Sequence, residues 1–434
     1  MSEFATESKI ELSEYADQKR QSANAIALDR MLTAEPVLVG ISPAGDVVPG
    51  MTPETILTSG APLEWPEYVG GQRRAIIYAA VYEGLAKDTG DAERLLASGQ
   101  INVRSTQQHG CVGSVAGIYT ASMPVFVVED QRHGGQAFCN LYEGKSRRRL
   151  NYGSYDDDVA SGLRWLQSTM GPVLDEALKR SGPIQLKPLM ARAMRLGDEL
   201  HSRNTAASML LEKRLRGSLV EMAQSGQGAD VAEVFSFFDE NDYTFLRVGM
   251  AAAKAMADAA HGVVGSSLVT GMALNCNQFS IRVSGLGDEW FGGVHPELEG
   301  RFFDGFGPID AEWIGGESCF TEVVGLGGFV QSCAPTLQAY QGGTYEAMCA
   351  NNLSMYRITL GEHPDFLIPP FDFRGSPVGI DVFRVLEEKL TPVIDGGLAG
   401  KDGGQIGAGT LRPGLDSFQA AAFAYSKSFT TGGS

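Results

Sequence analysis

A long central segment with helical periodicity constrains the fold of this chain more than any other feature. Residues 156–262 show almost no strand signal, and we expect helices at 157–170, 172–180, 187–216, 229–238 and 242–261. The segments on either side alternate short apolar runs with Gly-rich loops, which is typical of α/β proteins. We therefore predict an α/β fold in three parts: an α/β part at 1–150, a mainly helical part at 151–262 and a Gly-rich α/β part at 263–434.

Short apolar runs in the flanking segments predict the strands. The run Met-Pro-Val-Phe-Val-Val at 123–128 is continuous, as in the buried strands of parallel sheets. We expect further strands at 37–41, 101–103, 279–283, 320–324 and 391–394, and helices at 75–85 and 91–98. Residues 1–33 are predicted to form an amphipathic helical lead-in, and 430–434 a disordered tail.

The charge balance limits the partners that this chain can have. Its 434 residues include 35 basic and 52 acidic side chains, which gives a formal net charge of −17. Such a field repels nucleic acid and anionic membrane surfaces, so we expect neither as a partner. An anionic substrate would then need a local cationic pocket.

Cysteine usage and hydropathy predict a reduced, cytoplasmic protein. Six cysteines lie apart with no C-x-x-C pair, which disfavours a zinc site and a disulfide framework. The first 25 residues lack the apolar core of a signal peptide. The apolar stretch 248–274 is rich in Ala and Gly and contains charged residues, which favours a buried helix over a membrane span. Its Ala/Gly-rich part, 249–262, would suit close helix packing, either within the chain or in a homo-oligomer.

The run Gly-Asp-Glu-Leu-His-Ser-Arg-Asn at 197–204 lies inside the predicted helix 187–216. A continuous helix would place four polar residues on one face: Asp198, His201, Asn204 and Thr205. We predict that His201, oriented by Asp198, exchanges protons with a small polar substrate. The alternative is a polar face that meets solvent or another subunit. Glu199 and Arg203, four residues apart, are predicted to form an ordinary surface salt bridge.

Polar residues on and around the predicted strand 279–283 form a second candidate site. Arg282 could hold a carboxylate or phosphate through two parallel hydrogen bonds. The amides and the hydroxyl could bind an amide or ureido group: Asn275, Asn277 and Ser284. The alternatives are an ordinary turn, and an internal ion pair between Arg282 and the following Asp288 or Glu289.

Two further segments carry candidate groups. Glu317 and Glu322 flank Ser318 and Thr321, and either could be a base, although capping roles are more common. The Gly-rich segment 403–412 could form an anion-binding loop through its backbone N–H groups, or a structural turn. Its candidate binding residues are Gln405, Gly407, Gly409 and Thr410.

Several established motifs are absent from the sequence. No G-x-G-x-x-G lies between a strand and a helix, and the segment 396–402 lacks the spacing and the Ser or Thr of a phosphate loop. There is no G-x-S-x-G elbow and no H-E-x-x-H helix. We therefore disfavour a nucleotide-dependent enzyme, a serine hydrolase of that type and a zinc protease, and we expect no metal and no cofactor.

Six segments, taken in order, resemble the family of the large subunit of oxamate carbamoyltransferase, a protein of bacterial allantoin and purine catabolism. They span most of the chain: YEGLAKD at 82–88, TASMP at 120–124, AFCNLYEG at 137–144, GDELHSRN at 197–204, IRVSGLG at 281–287 and GQIGAGT at 404–410. The resemblance implies action with two other subunits, one of them similar to succinyl-CoA synthetase. Together they would interconvert oxalurate plus phosphate with oxamate plus carbamoyl phosphate.

The chain departs from the family pattern in two loops. Gln107 and Gln108 stand where a His-His pair is expected, with His109 one place later, and Gly400 stands where a His is expected. If those histidines serve phosphate or carbamoyl transfer, their replacement favours different chemistry on a related substrate.

We expect an enzyme that acts on the C–N bond of a small amide, ureide or carbamoyl compound, with phosphate as the acceptor in the transferase form. In this hypothesis Arg282 holds the anionic end, His201 moves the proton and N–H groups near Gly407 and Gly409 stabilise an oxyanion. The remaining expected contacts are Asn140, Glu143, Asn204, Asn275, Asn277, Ser284, His109, Gln405 and Thr410, with Glu322 as a further catalytic candidate. The alternatives are a hydrolase that uses water, and a non-catalytic scaffold or regulatory subunit of a transferase.

Overall fold

The computed structural model describes residues 14–430. The predicted lead-in helix before residue 14 and the predicted tail beyond residue 430 lie outside this range. The helices are α1 Glu14–Thr33, α2 Ala44–Val47, α3 Gly70–Tyr82, α4 Thr89–Ala97, α5 Asp157–Trp165, α6 Gly171–Ser181, α7 Leu186–Arg195, α8 Thr205–Met222, α9 Gly228–Glu240, α10 Thr244–Ala259, α11 Phe320–Val323, α12 Leu337–Gln341, α13 Tyr345–Met355, α14 Val382–Glu388 and α15 Asp416–Thr430.

The strands form several small sheets. They are β1 Pro36–Pro43, β2 Thr55–Thr58, β3 Asn102–Ser105, β4 Pro124–Asp130, β5 Gln136–Asn140, β6 Ile184–Gln185, β7 Val269–Leu274, β8 Phe279–Val283, β9 Trp290–Gly293, β10 Glu297–Phe302, β11 Ala311–Glu312, β12 Thr359–Ile368, β13 Arg374–Ile380, β14 Ile394–Gly400 and β15 Gln405–Arg412. Their orders are β5-β4-β1-β6, β10-β15-β14-β11, β7-β8-β9, β12-β13 and β2-β3. The mixture of helices and strands confirms the α/β fold class.

The first sheet is antiparallel, so the expectation of a parallel sheet around residues 123–128 is wrong. Strand β4 pairs antiparallel with both β1 and β5. It is nevertheless buried on both faces: Phe126 and Val128 belong to the main core, and Val125 and Val127 to a second, smaller apolar cluster. A strand buried on both faces needs a continuous apolar run whichever way its neighbours point, and this explains the misleading pattern.

The helical middle of the chain is confirmed, with one important break. Five predicted helices correspond to α5 through α10, and α5 and α6 are joined by a π-helical turn at 166–170. The predicted helix 187–216 is wrong as one element, because α7 ends at Arg195 and α8 begins at Thr205. In the intervening loop, Gly197 has a φ of +105° and Leu200 a φ of +72°. An α-helix cannot continue through left-handed residues.

Helix α10 is buried along most of its length. Every residue from Thr244 to Ala257 is buried, and the helix packs against β4, β5, α1 and α11. The buried helix expected here is confirmed, although it ends at Ala259 and the chain then forms β7. Its small residues therefore pack within the chain, which is one of the two alternatives considered for this segment. No helix between residues 14 and 430 is long and apolar enough to cross a lipid bilayer.

Three predictions for the last part of the chain are wrong. Residues 320–324 contain the short helix α11 instead of a strand, and the strand expected at 391–394 begins only at Ile394. The Gly-rich segment 403–412 is mostly strand β15, paired on both sides with β10 and β14. Its glycines permit close strand approach, since a Cβ on Gly409 would lie 2.2 Å from the Glu299 carbonyl oxygen.

One hydrophobic core joins the three predicted parts. Its buried side chains run from Ala23 through the helical middle to Ala422. The three-part division at 150 and 262 stays a prediction. What matters for function is that residues from all three parts reach a common cavity.

Candidate functional site

The loop 196–204 between α7 and α8 is held by two buried carboxylates. Asp198 accepts hydrogen bonds from the backbone N–H groups of Ala206 and Ala207, at 3.2 and 2.8 Å, and so caps α8. Glu199 accepts from the backbone N–H groups of the three residues that start at His201. The polar residues at 197–204, which predict one face of a helix, therefore form a loop, because their side chains bond backbone N–H groups.

The surface salt bridge expected between Glu199 and Arg203 is wrong. Glu199 is fully buried and bonds backbone, while the Arg203 guanidinium donates to the Gly197 carbonyl and lies 3.6 Å from the Asp198 carboxylate. Burial raises the pKa of Asp198 to about 6, although its two backbone hydrogen bonds and Arg203 oppose the shift.

Glu322 orients His201, and the expected role of Asp198 in that position is wrong. The His201 Nδ1 lies 2.8 Å from Glu322 Oε1. Glu322 is held in turn by the hydroxyl of Thr321 and the backbone N–H groups of Gly328 and Asp395. Burial alone would lower the pKa of His201, but the Glu322 carboxylate raises it above its usual value. With Nδ1 bonded to Glu322, the other ring nitrogen is left for a ligand.

His201 lines a cavity of about 580 Å³ at the meeting point of the three parts of the chain. The polar wall includes Ser202 beside His201, Asp395 at the start of β14, and Gln405 at the start of β15. Aromatic side chains form much of the rest: Tyr142, Tyr152, Tyr243, Tyr340 and Trp313. A small, partly aromatic cavity with a few convergent polar groups is typical of a small-molecule site.

Two buried arginines bring positive charge to this cavity, whose lining also includes Glu297, Glu312 and Asp395. Arg149 is 9% exposed and donates to the Tyr142 hydroxyl at 3.0 Å and to the Gly144 carbonyl. Arg247, on α10, is 4% exposed and donates to Asn140 Oδ1 at 2.8 Å. The Nε atoms of both are buried and without a hydrogen-bond partner. Within residues 14–430 neither guanidinium forms an ion pair with a carboxylate.

Sequence reasoning missed both arginines, although it anticipated the need for a cationic pocket. Arg149 ends a basic run, which is usually a solvated segment. Arg247 stands within the apolar run of α10, and this is the signal that could have identified it. A charged residue inside a buried helix is costly unless it has a partner or a function.

Some predicted binding residues reach the cavity and others support it from behind. His201 and Gln405 line it, and Glu322 contacts it through His201. Asn140 stands behind Arg247, with its amide N–H donated to the Ile118 carbonyl. Asn204 donates to the His201 carbonyl at 2.9 Å, and its buried Oδ1 has no partner.

The other predicted binding residues have structural roles in the described part of the chain, and none lines the cavity. Glu143 binds the N–H groups of Leu150 and Asn151. Asn275 Oδ1 accepts the backbone N–H of Asn277 in a turn. The side-chain amides of Asn275 and Asn277 donate to the Ala61 and Glu67 carbonyls, and Ser284 donates to the Ala260 carbonyl. His109 contacts the Pro49 carbonyl. The strand residues Gly407, Gly409 and Thr410 form ladder pairs, so the expected anion-binding loop is wrong.

Arg282 lies in a separate cluster, away from the cavity. Its guanidinium bonds Asp258 at 2.5 Å and the Thr270 carbonyl at 2.9 Å. The buried Lys254 binds the second oxygen of Asp258 at 2.5 Å. The internal ion pair considered for Arg282 is therefore confirmed, but the partner is Asp258 instead of Asp288 or Glu289. Burial alone would raise the pKa of Asp258, but Lys254 and Arg282 lower it to about 2.

The two departures from the family pattern also lie outside the cavity wall in residues 14–430. Gln107 donates to the Cys111 carbonyl in a short 3₁₀ turn. Gly400 ends strand β14, where its N–H donates to the Gly404 carbonyl. Gln107 is not part of the wall that holds His201, whereas Gly400 follows Ala399 and pairs with Ala311, which both line the cavity.

Comparisons with known proteins place the chain in a family. The family model of the oxamate carbamoyltransferase subunit AllG matches residues 101–318. The chain is 37% identical to the oxamate carbamoyltransferase subunit AllG of Escherichia coli K12 over 415 residues, 94% of this chain and 98% of that one. It is 40% identical to the uncharacterized protein YahG of the same strain over 405 residues, 93% of this chain and 85% of that one.

A solved structure agrees with this assignment. The crystal structure of a conserved protein of unknown function from Enterococcus faecalis V583 matches with a TM-score of 0.92 at 37% identity. The match covers 95% of this chain and 99% of the other. The resemblance inferred from the six sequence segments is confirmed, and the chain belongs to the family of the oxamate carbamoyltransferase subunit AllG.

Proposed function

We propose that the chain binds a small amide or ureide that carries a carboxylate, and acts on its C–N bond. The observation that supports this most is the convergence of Arg149, Arg247 and His201 on one cavity. In a chain with a net charge of −17, two buried guanidinium groups without carboxylate partners need an anion to complete them. Oxamate and oxalurate both present a carboxylate next to an amide carbonyl.

The geometry suggests how the reaction would be divided among the side chains. The two arginines hold the carboxylate through charge-assisted hydrogen bonds. His201 takes a proton on its free ring nitrogen, and Glu322 stabilises the resulting imidazolium, as a carboxylate does in other His-dependent sites. The nucleophile that attacks the carbonyl carbon is phosphate in a carbamoyltransferase and water in a hydrolase.

We further propose that the chain works as one subunit of a carbamoyltransferase complex. The Escherichia coli relative is named as a subunit, which supports this reading. A hydrolase without partners is the second candidate. Its main support is the replacement of the expected histidines, one of which, at Gly400, lies beside Ala399 of the cavity wall.

Binding can be tested before turnover. We expect isothermal titration of the purified chain to show oxamate and oxalurate binding. Arg149→Met and Arg247→Met should each weaken binding about ten- to hundredfold, because each removes a charge-assisted contact. Arg148→Met is the matched control, since Arg148 is exposed, pairs with Asp156 and lies outside the cavity wall. Equal affinity in all four proteins would contradict the proposal.

Turnover then separates the candidate reactions. We would incubate the chain with oxalurate, with and without phosphate, alone and with its partner subunits, and measure oxamate and carbamoyl phosphate. Phosphate-dependent release supports the transferase, and phosphate-independent release supports the hydrolase. Turnover by the complex that is unchanged in His201→Ala would support a non-catalytic, ligand-binding subunit.

A further inference from the structure

A turn at residues 113–117 meets a second segment of the chain at the wall of the cavity. Glu317 joins the two segments: its backbone N–H donates to the Gly113 carbonyl at 2.8 Å, and its buried carboxylate accepts the Gly113 N–H at 2.6 Å. The residues that follow this pair along the chain, Ser114 and Ser318, both line the cavity. Glu317, which the sequence predicts as a candidate base, therefore positions two serines on one part of the wall.

These residues carry hydrogen-bond donors that the protein itself does not use. Within residues 14–430 the hydroxyls of Ser114 and Ser318 form no hydrogen bond, and the same is true of the backbone N–H groups of Ser114 and Val115. Val115 has a φ of +57°, and the Gly117 N–H closes the turn onto the Ser114 carbonyl at 3.0 Å. Successive N–H groups in such a turn form a concavity that binds anions.

Gly316 leaves room in front of the Val115 N–H. Its φ is +144°, and a Cβ there would lie 3.5 Å from the Val115 nitrogen, its nearest neighbour outside the adjoining residues. A larger residue would therefore place its side chain beside this N–H. The preceding Gly315 has a packing role instead, because a Cβ there would lie 2.6 Å from the Ser59 Oγ.

Hydrogen bonds connect this turn to the segments that carry both cavity arginines. The Ala116 N–H donates at 3.1 Å to the carbonyl of Asn151, which follows Arg149 by two residues. The Asn140 amide donates at 2.9 Å to a carbonyl just after the turn, and its oxygen accepts Arg247 at 2.8 Å. An anion bound at the turn would therefore lie in the field of two buried cations.

Three carboxylates line the same cavity in the described part of the chain: Glu297, Glu312 and Asp395. Glu312 is paired with Arg74 at 2.9 Å, and Asp395 accepts the side-chain N–H of Gln331 at 2.6 Å. Glu297 is exposed at the start of β10. Ionised carboxylates accept hydrogen bonds but cannot donate them, so the turn and the arginines form the part of the wall that favours an oxyanion.

We propose that Ser114, Val115 and Ser318 form a subsite for inorganic phosphate, beside the substrate carboxylate held by Arg149 and Arg247. This inference rests on the function proposed above, in its transferase form. The N–H and O–H donors of the subsite match the acceptor oxygens of a phosphate ion. The cavity of about 580 Å³ has room for both ligands, since pockets of this size hold drug-sized molecules.

Phosphate at this subsite is the nucleophile of the proposed transfer. An oxygen of hydrogen phosphate forms a bond to the carbamoyl carbon of oxalurate, and the C–N bond breaks with its electron pair going to nitrogen. The proton of the hydrogen phosphate passes to His201 and from there to the same nitrogen, which gives oxamate and carbamoyl phosphate. The serine hydroxyls stay neutral throughout and act only as hydrogen-bond donors.

Isothermal titration of the purified, oxamate-saturated chain with inorganic phosphate tests the subsite without turnover. Ser114→Ala and Ser318→Ala should each weaken phosphate binding about tenfold, because each removes a hydrogen bond to a charged ligand, and should leave oxamate affinity within about twofold of wild type. Ser161→Ala is the matched control, since Ser161 is exposed on α5 and donates to the Asp157 carbonyl. No phosphate binding by the wild-type chain, or equal phosphate affinity in all four proteins, would overturn the inference.

Kinetics of the assembled complex separate this inference from the proposed function. In Ser114→Ala and Ser318→Ala the KM for phosphate should rise about tenfold, while the KM for oxalurate stays within about twofold of wild type. An equal rise in both KM values would assign the serines to the oxalurate carboxylate and overturn the phosphate subsite alone. Failure of the wild-type chain to bind oxamate or oxalurate would overturn the proposed function, and with it the inference.

Discussion

Buried arginines occur in two settings in this chain, and the contrast separates function from stability. The cavity arginines are Arg149 and Arg247, which form no ion pair in residues 14–430 and donate hydrogen bonds to neutral oxygens instead. The ion-pair cluster is Lys254, Asp258 and Arg282, in which one carboxylate is shared by two cations at 2.5 Å. Both groups of cations are buried, but only in the ion-pair cluster does a carboxylate compensate the positive charge.

The difference indicates what each cation does. A charge buried without an ion-pair partner costs free energy, and this cost is the reason for proposing that a ligand supplies the missing charge at Arg149 and Arg247. A cation buried beside a carboxylate is already compensated. Its removal leaves the carboxylate as an uncompensated buried charge, which destabilises the fold. Arg282 has the residue type expected of a ligand-binding group, but its contacts are those of a structural one.

The largest expected effect comes from removing the proton acceptor from the cavity. His201→Ala should lower turnover of the assembled enzyme about a hundredfold or more, because a positioned acid–base group contributes at least that much. His133→Gln is the control, since His133 contacts Thr33 outside this cavity. Steady-state kinetics of both variants, with melting curves to verify folding, check the prediction. A matching loss in the control would refute a specific role for His201.

The free energy of unfolding should fall further when Arg282 is replaced than when a cavity arginine is replaced. Arg282→Met should lower the free energy of unfolding by about 1–3 kcal/mol, because it removes charge-assisted hydrogen bonds to Asp258 and the Thr270 carbonyl. Arg247→Met should lower that free energy by no more than about 1 kcal/mol, since it breaks the hydrogen bond to Asn140 Oδ1 but no ion pair. Urea denaturation of both variants measures the contrast. An equal loss of unfolding free energy in Arg282→Met and Arg247→Met would contradict the distinction between structural and cavity arginines.

The aspartate at the cavity and the aspartate of the ion-pair cluster should contribute to stability at different pH values. The pKa of Asp395 is raised to about 6, so its stabilising contribution is present below about pH 4 and is lost as the pH rises through 6. The pKa of Asp258 is lowered to about 2, so its contribution is present above about pH 4 and is lost as the pH falls through 2.

Denaturation at a series of pH values tests these signs. Asp395→Asn should flatten the fall in unfolding free energy between about pH 4 and 6, and Asp258→Asn should flatten the loss at lower pH. A wild-type protein whose stability rises steadily from about pH 4 to 6, with no change in slope in Asp395→Asn, would contradict the raised pKa of Asp395.

The smallest expected effect concerns backbone strain at the cavity. Val115 lines it with a φ of +57°, which is costly for a β-branched residue. Val115→Gly should raise the free energy of unfolding by about 1 kcal/mol and weaken oxamate binding by loosening the wall. Lys389→Gly, at a φ of +48° away from the cavity, is the matched control and should stabilise without changing affinity. Unchanged affinity in Val115→Gly would show that this strain has no role in binding.

The sequence allowed accurate prediction where a property depends on near neighbours. The helical middle, the buried α10 and the family could be recognised from periodicity and short segments. His201 and Glu322 were both predicted as candidates, and the structure brings them to 2.8 Å across 121 residues of chain. The break at Gly197 was missed because the apolar spacing continues on both sides of it, while the decisive hydrogen bonds of Asp198 and Glu199 join side chains to backbone.

The residues that complete the site could not be predicted in the same way. Arg149, Arg247 and Asp395 belong to no motif, and each occurs in a segment that would be equally plausible as a solvated or structural one. Their role depends on what lies opposite them after folding. At Gly407 and Gly409 the sequence predicts a binding role that the structure does not give. The Gly-rich run is typical of an anion-binding loop, but here its glycines allow strands to pack closely.

The amino-acid sequence by itself determined the family, the helical middle of the chain and the need for a local cationic pocket, because helical period, ordered segments and net charge are properties of the chain before it folds. Only the tertiary structure decided that Arg247 faces the cavity and Arg282 faces Asp258. A buried charge becomes a binding group or a structural one according to whether the fold sets a carboxylate against it, and that depends on packing between segments distant in the chain.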